Sequence, residues 1–129
     1  MAESYRKELI SRVALAAVDT GGGIFAWQNP HENAILITGL YLDATTAATA
    51  ACTIDCGTTA TSATTSSDNL IDGLDVNAAA GVFNNFTDNG TNGKTRQRLA
   101  SGKWVTGSKA TGASAGLVGY AYIKYIVLA

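Results

Sequence analysis

Among its 129 residues this chain has one histidine, two cysteines and one proline. Each scarcity removes a class of chemistry. A hydrolase or lyase built on imidazole would have to use His31, and no second histidine can join it. Cys52 and Cys56 lie four apart in a stretch that alternates like a strand, which separates their Cα atoms by about 13 Å, too far for a mutual disulfide. They read as small buried hydrophobes in a reducing compartment, since a metal site would need two further ligands that the surrounding sequence does not offer. No apolar run approaches the roughly 18–20 residues of a membrane-spanning helix. The opening Met1–Glu8 has no apolar core after a basic start, so no cleaved export signal is expected.

Positive charge is also missing from most of the chain. Between Val13 and Gly93 there is no lysine or arginine, while Asp19, Glu32, Asp43, Asp55, Asp68, Asp72, Asp75 and Asp88 all fall there. From Lys94 onward the pattern inverts, with six cations and no acid. Basic strands that pair with acidic ones would produce this, at about 0.2–1 kcal/mol per cross-strand pair. So would a surface with opposite poles that docks on copies of itself or on a charged shell. Nucleic acid is not the expected partner. The net charge is −1, and Trp104 is the only aromatic interleaved with the basic segment.

What is present is β-forming sequence. Hydrophobic residues make up 47% of a chain long enough for one domain with a real core. Two runs, Ala34–Asp43 and Ala51–Gly57, flank an uncharged Thr/Ala tract in a hairpin-like arrangement. In the second run Cys52, Ile54 and Cys56 share one face and Thr53 and Asp55 the other. The first run is apolar at successive positions, which predicts a central strand with cover on both faces. Ile24–Gln28 is a short aromatic strand ended by Asn29-Pro30. Asp68–Val76 reads as a short helix or irregular turn feeding a strand, and Val82–Phe86 as a short strand. The two Asn-Gly pairs of Thr87–Lys94 mark a surface loop. Thr95–Leu99, Lys103–Ser108 and Leu117–Leu128 are strands. In the last of these Tyr120, Tyr122, Lys124 and Ile126 share one face, and the strand's length and low charge place it inside a sheet.

Residues 1–18 are expected to form an arm, extended or partly helical, that docks on a neighbour or on the domain surface. Tyr5, Leu9 and Val13 recur there every four residues. Residues 19–129 then form a single β domain. Seven or eight short strands joined by Gly-rich turns predict an all-β fold, a jelly-roll-like β-sandwich or barrel.

No catalytic motif emerges. His31 sits in a turn and reads as a solvated residue. No serine has the setting of a nucleophile elbow, and Gly21-Gly22-Gly23 matches no phosphate-binding pattern. Asp68, Asp72 and Asp75 could hold Ca²⁺ only with backbone help, and Asp88–Gly93 fails the spacing of a calcium loop. Asn85-Phe86-Thr87 and Asn89-Gly90-Thr91 are formal glycosylation sequons that here mean exposed loops. Trp27, Tyr41, Trp104, Tyr120, Tyr122 and Tyr125 could line a sugar platform, though such residues more often form core or subunit interface. No cofactor and no metal is expected.

The stretches ILITGLYLDATTAATAACTIDCG, SSDNLIDGLDVNAAAGVFNN and NGTNGKTRQRLASGKWVTGSKATGASAGLVGYAYIKYI resemble small proteins from the structural regions of tailed bacteriophages and prophages. These are capsid decoration (cement) or related head-surface proteins. The similarity runs from about Ala34 to Leu128 and lies in texture and phrase order, without a motif that assigns contact residues. It implies a jelly-roll-like domain on the outer surface of a virion assembled in the bacterial cytoplasm, bound to the major capsid protein and to itself, often as a homotrimer. Expected contacts are the arm (Tyr5, Leu9, Val13), the aromatic turn region (Phe25, Trp27) and the basic run Lys94, Arg96 and Arg98 against an acidic shell. A carbohydrate- or receptor-binding module on a virion surface is the alternative, with Trp27 or Trp104 exposed beside Asp and Asn. An enzyme on the same scaffold would need clustered histidines and carboxylates.

Overall fold

A computed structural model describes residues 7–16, 23–62 and 66–129. Among them are nine strands and no helix: β1 (Leu9–Ala14), β2 (Gly23–Gln28), β3 (Ile35–Thr46), β4 (Cys52–Thr59), β5 (Ile71–Asp75), β6 (Gly81–Asn84), β7 (Gln97–Leu99), β8 (Trp104–Gly112) and β9 (Val118–Val127). They form two antiparallel sheets. One has the order β1-β9-β3-β6, with β7 also on β3, and the other has the order β2-β8-β4-β5. β6 pairs with Tyr41–Ala44 and β7 with Ile35–Ile37, in the same direction. Together they make one edge strand interrupted by residues 85–96. First then pairs with last, second with next to last, and so on inward, which is the winding of a double-sheet jelly roll. The expected β-sandwich is the fold, in its jelly-roll form.

The two sheets enclose a core of branched and sulfur side chains, including Ile24, Ile35, Ile37, Leu40, Leu42, Ile54, Ile71, Val105 and Ile123. Cys52, Ile54 and Cys56 all point inward, as the alternation predicts, and both thiols are free and buried. Burial pushes the Cys56 thiol far above its ordinary range.

β3 differs from its expectation in an instructive way. Its inward residues are odd-numbered at Ile35 and Ile37, then even-numbered at Leu40, Leu42 and Ala44. A bulge between Ile37 and Gly39 in the pairing with β9 reverses the parity. A run that reads as apolar on two faces is therefore two half-strands that each bury one face. Among the described residues, only single side chains such as Phe86 and Glu8 lie over the outer face of β3.

The hairpin-like stretch also separates. β3 and β4 never pair. The chain leaves one sheet at Thr46 and enters the other at Cys52. The crossing is held where Ala48 N–H donates to Val76 C=O and Thr49 N–H to Ala115 C=O. Ile71–Asp75 is itself a strand on β4, not a helix. β9 lies between β1 and β3, inside its sheet as expected.

Candidate functional site

Directly opposed residues of antiparallel strands point to the same side of a sheet, so the register maps the outer face of the five-stranded sheet row by row. Ala14, Tyr120, Asp43 and Val82 form one row. Arg12, Tyr122, Tyr41 and Asn84 form the next. Ile10 and Lys124 follow with Gly39, and then Ile126 with Leu36 and Arg98. The side chains are packed among themselves. The Arg12 guanidinium stands 4.4 Å over the Tyr120 ring, Tyr120 and Tyr122 are 6.4 Å apart by centroid, and Tyr41 and Phe86 are 6.2 Å apart.

Lys124 reaches Glu8 at 3.3 Å, and the other Glu8 oxygen accepts from the Thr38 hydroxyl at 2.7 Å. The Thr38 hydrogen bond is the main reason that the Glu8 carboxyl sits below its ordinary range, and Lys124 adds to it. A shallow depression of about 330 Å³ opens between Ile10, Tyr41, Asp43, Val82, Tyr122 and Lys124.

Large apolar side chains meet solvent on this face beside charged Arg12, Arg98 and Glu8. Val82 is 65% exposed, Ile10 64%, Val118 53% and Phe86 42%. The opposite outer face, on the four-stranded sheet, is finished differently. Thr106 and Ser108 point outward from β8 and are buried because the segment around Ser66 lies over them. Ser66 N–H donates to Ser108 Oγ at 2.6 Å and Ser66 Oγ–H to Thr106 C=O at 2.7 Å, while Thr59 and Thr106 hydroxyls pair at 3.2 Å. One sheet is roofed by its own chain with polar groups, and the other presents aromatic and aliphatic side chains.

The residues expected to make contacts fall in several places. Tyr5 lies outside the described residues. Leu9 and Val13 are in edge strand β1, where Val13 packs against the core and Leu9 sits at the rim of the sandwich. A helical face is thus excluded for Leu9–Ala14, which is extended and hydrogen-bonded to β9.

Phe25 is a core residue, 5% exposed, whose ring packs so closely on Gly107 that a β-carbon there would approach it to 2.4 Å. Trp27 is half-buried, its ring 5.2 Å from that of Tyr125. β2 turns both toward the other sheet, which buries Phe25 and leaves Trp27 partly exposed. Lys94, Arg96 and Arg98 are exposed as expected, and Arg98 joins the outer face opposite Leu36.

Other candidates resolve into scaffolding. His31 Nε2 is 3.0 Å from the hydroxyl of buried Tyr125, so it serves that hydroxyl and is no free turn residue. Asp68 and Asp72 hold Asn92 through its side-chain amide and backbone N–H, and Asp75 accepts from the N–H groups of Asn77 and Ala78. Among the described residues no three His, Cys, Asp or Glu side chains stand together as a metal site. No described helix is long and apolar enough to cross a membrane.

The exposed face was partly legible: period two along Leu117–Leu128 assigns Tyr120, Tyr122, Lys124 and Ile126 to one side. Ile10, Tyr41, Val82 and Phe86 join them only through strand order. Fold and face together define an all-β jelly-roll body with one outer sheet surface that, among the described residues, is aromatic and partly exposed. No protein-family model, curated protein or solved structure matches the chain.

Proposed function

We propose that this protein decorates the outer surface of a tailed-phage capsid and stabilises it by bridging capsomers, seating on the major capsid protein through the outer face of the five-stranded sheet. The observation that carries this reading is the contrast between the two outer faces. A sheet surface that leaves Ile10, Val82, Val118 and Phe86 in water is finished only when something covers it. Phrase similarity to head-surface proteins points to a shell as that cover, and double-sheet jelly rolls recur in viral capsid and lectin domains. Fold alone assigns no function, so the face bears the argument. In this role the molecule transforms nothing: it adds buried area across a joint, and standard interfaces of about 1,200–2,000 Å² suffice for stable attachment.

The test uses undecorated tailed-phage heads assembled from a major capsid protein alone. Native protein should co-sediment with them. The triple substitution Ile10→Ser, Val82→Ser, Tyr120→Ser removes three large apolar contacts, each worth about 1.5–3 kcal/mol if buried, and should weaken retention at least about 100-fold. All three side chains are at least 37% exposed, so the thermal midpoint should move little. Equal retention of native and triple variant would sink the reading.

The depression between Tyr41, Tyr122 and Asp43 favours a second reading, a carbohydrate-binding module on a virion surface. Its aromatic lining is tyrosine, since Trp27 faces Tyr125 inside. Glycan-array binding that is lost in Tyr122→Ala would select it.

A further inference from the structure

Among the described edge strands, β1 is the one whose ladder neither shifts nor breaks. The partner ladder of β2 shifts between Gly23 and Phe25, that of β5 shifts between Ile54 and Cys56, and β6 and β7 are broken by twelve intervening residues. Shifts and interruptions of this kind are how sheet edges avoid each other. β1 instead runs six successive pairs on β9, Leu9↔Tyr125 to Ala14↔Tyr120, with no shift, and it ends its sheet. No described strand pairs on its other side, and Ile10 is 64% and Leu9 36% exposed.

Self-complementarity selects the occupant. In an antiparallel pair of identical strands, position 10 + k meets position 10 − k if the two-fold axis passes through residue 10. Arg12 then stands opposite Glu8 of the other copy, twice, and Ile10 meets Ile10. All three side chains lie on the outer face: Ile10 and Arg12 oppose outward-facing Lys124 and Tyr122, and Glu8 reaches Lys124 and Thr38 across that face. A register centred on Ser11 would set Arg12 against Ile10, with no opposite charge facing it across the pair.

We propose that two copies of this chain join edge to edge through β1, antiparallel and centred on Ile10, with Arg12 of each against Glu8 of the other. The two five-stranded sheets become one continuous sheet, and their aromatic outer faces become one double-width surface. Two linked footprints raise avidity without any new kind of contact, which suits a body that spans a joint between capsomers. The pair is isologous, so its unit is a dimer, and the trimer implied by family resemblance would need another contact.

Opposed residues of antiparallel strands have Cα atoms about 4.5–5.5 Å apart, within disulfide range. Ile10→Cys should therefore cross-link to a dimer under mild oxidation. Ser11→Cys, out of register with itself, and Val82→Cys, exposed on the opposite edge, should not. The native thiols are buried and do not compete. Light scattering should give a dimer mass for the native protein. Arg12→Glu, which sets carboxylate against carboxylate, should raise the dissociation constant at least tenfold, and Arg12→Lys should keep the pair. Circular dichroism confirms that each variant is folded. A monomer or trimer mass, preferential cross-linking at position 11, or equal cross-linking at 10 and 82 would overturn the pairing. Shell docking through the sheet face, read separately by co-sedimentation, would survive such a result.

Discussion

Asp55 points outward from β4, opposite Ser108, and its Oδ1 accepts from Gly73 N–H at 2.9 Å. Burial pushes its carboxyl above the ordinary range, more than that hydrogen bond lowers it, and Asp72 and Asp68 push it further. With the folded value above the unfolded one, the folded state holds this proton more tightly. Asp55 therefore subtracts stability as pH rises from the unfolded value, roughly pH 4, through the folded one. Asp55→Asn keeps the acceptor for Gly73 and removes the charge. It should raise the thermal midpoint at pH 7 and leave it unchanged at pH 3, where both states are protonated. A lower midpoint for the variant at pH 7 would contradict this account.

At the scale of elements, the broken edge strand depends on one amide. Asn85 is fully buried between β6 and β7. Its Oδ1 accepts from Leu40 N–H at 2.9 Å, and its Nδ2 donates to Lys94 C=O at 2.8 Å and Thr95 C=O at 3.1 Å. The side chain thus replaces the ladder that the insertion interrupts, and it ties the loop bearing Lys94 and Arg96 to β3. Asn85→Ala leaves a buried donor and two acceptors without it, at about 1–3 kcal/mol for each group that water cannot reach. The expected loss is about 3 kcal/mol in urea titration, with faster amide exchange in residues 85–96. A loss below about 1 kcal/mol would show that the loop holds itself. From sequence this asparagine is half of a glycosylation sequon in an exposed loop. Its burial follows from where β6 and β7 meet β3, which no local pattern encodes.

Across the whole molecule, first pairs with last and second with next to last, so nearly every ladder joins residues far apart in sequence. Loop-closure entropy is then lost before most contacts form, and such folds refold in milliseconds to seconds. Trp27, its ring tilted against that of Tyr125, reports the joining of β2 to β9 across the core. Stopped-flow fluorescence should show refolding in that range, and a microsecond phase carrying the full amplitude would contradict the topology. The same winding decides what the surface offers. It brings β1, β3, β6 and β9 side by side and exposes their outer side chains as one aromatic face.

The sequence by itself determined most of the strands, though not β1 or β5, and also the inward set Cys52, Ile54 and Cys56, the two faces of the last strand and the all-β class. These rest on alternation, β propensity and turn residues, which act over a few positions. Only the tertiary structure decided that Phe25 is core, that β3 changes parity at its bulge, that β3 and β4 part into different sheets, and that one sheet is roofed while the other stands open. Those outcomes depend on which strands become neighbours. That choice is made by the summed burial and hydrogen bonding of pairs distant in the chain, and the local pattern carries no record of it.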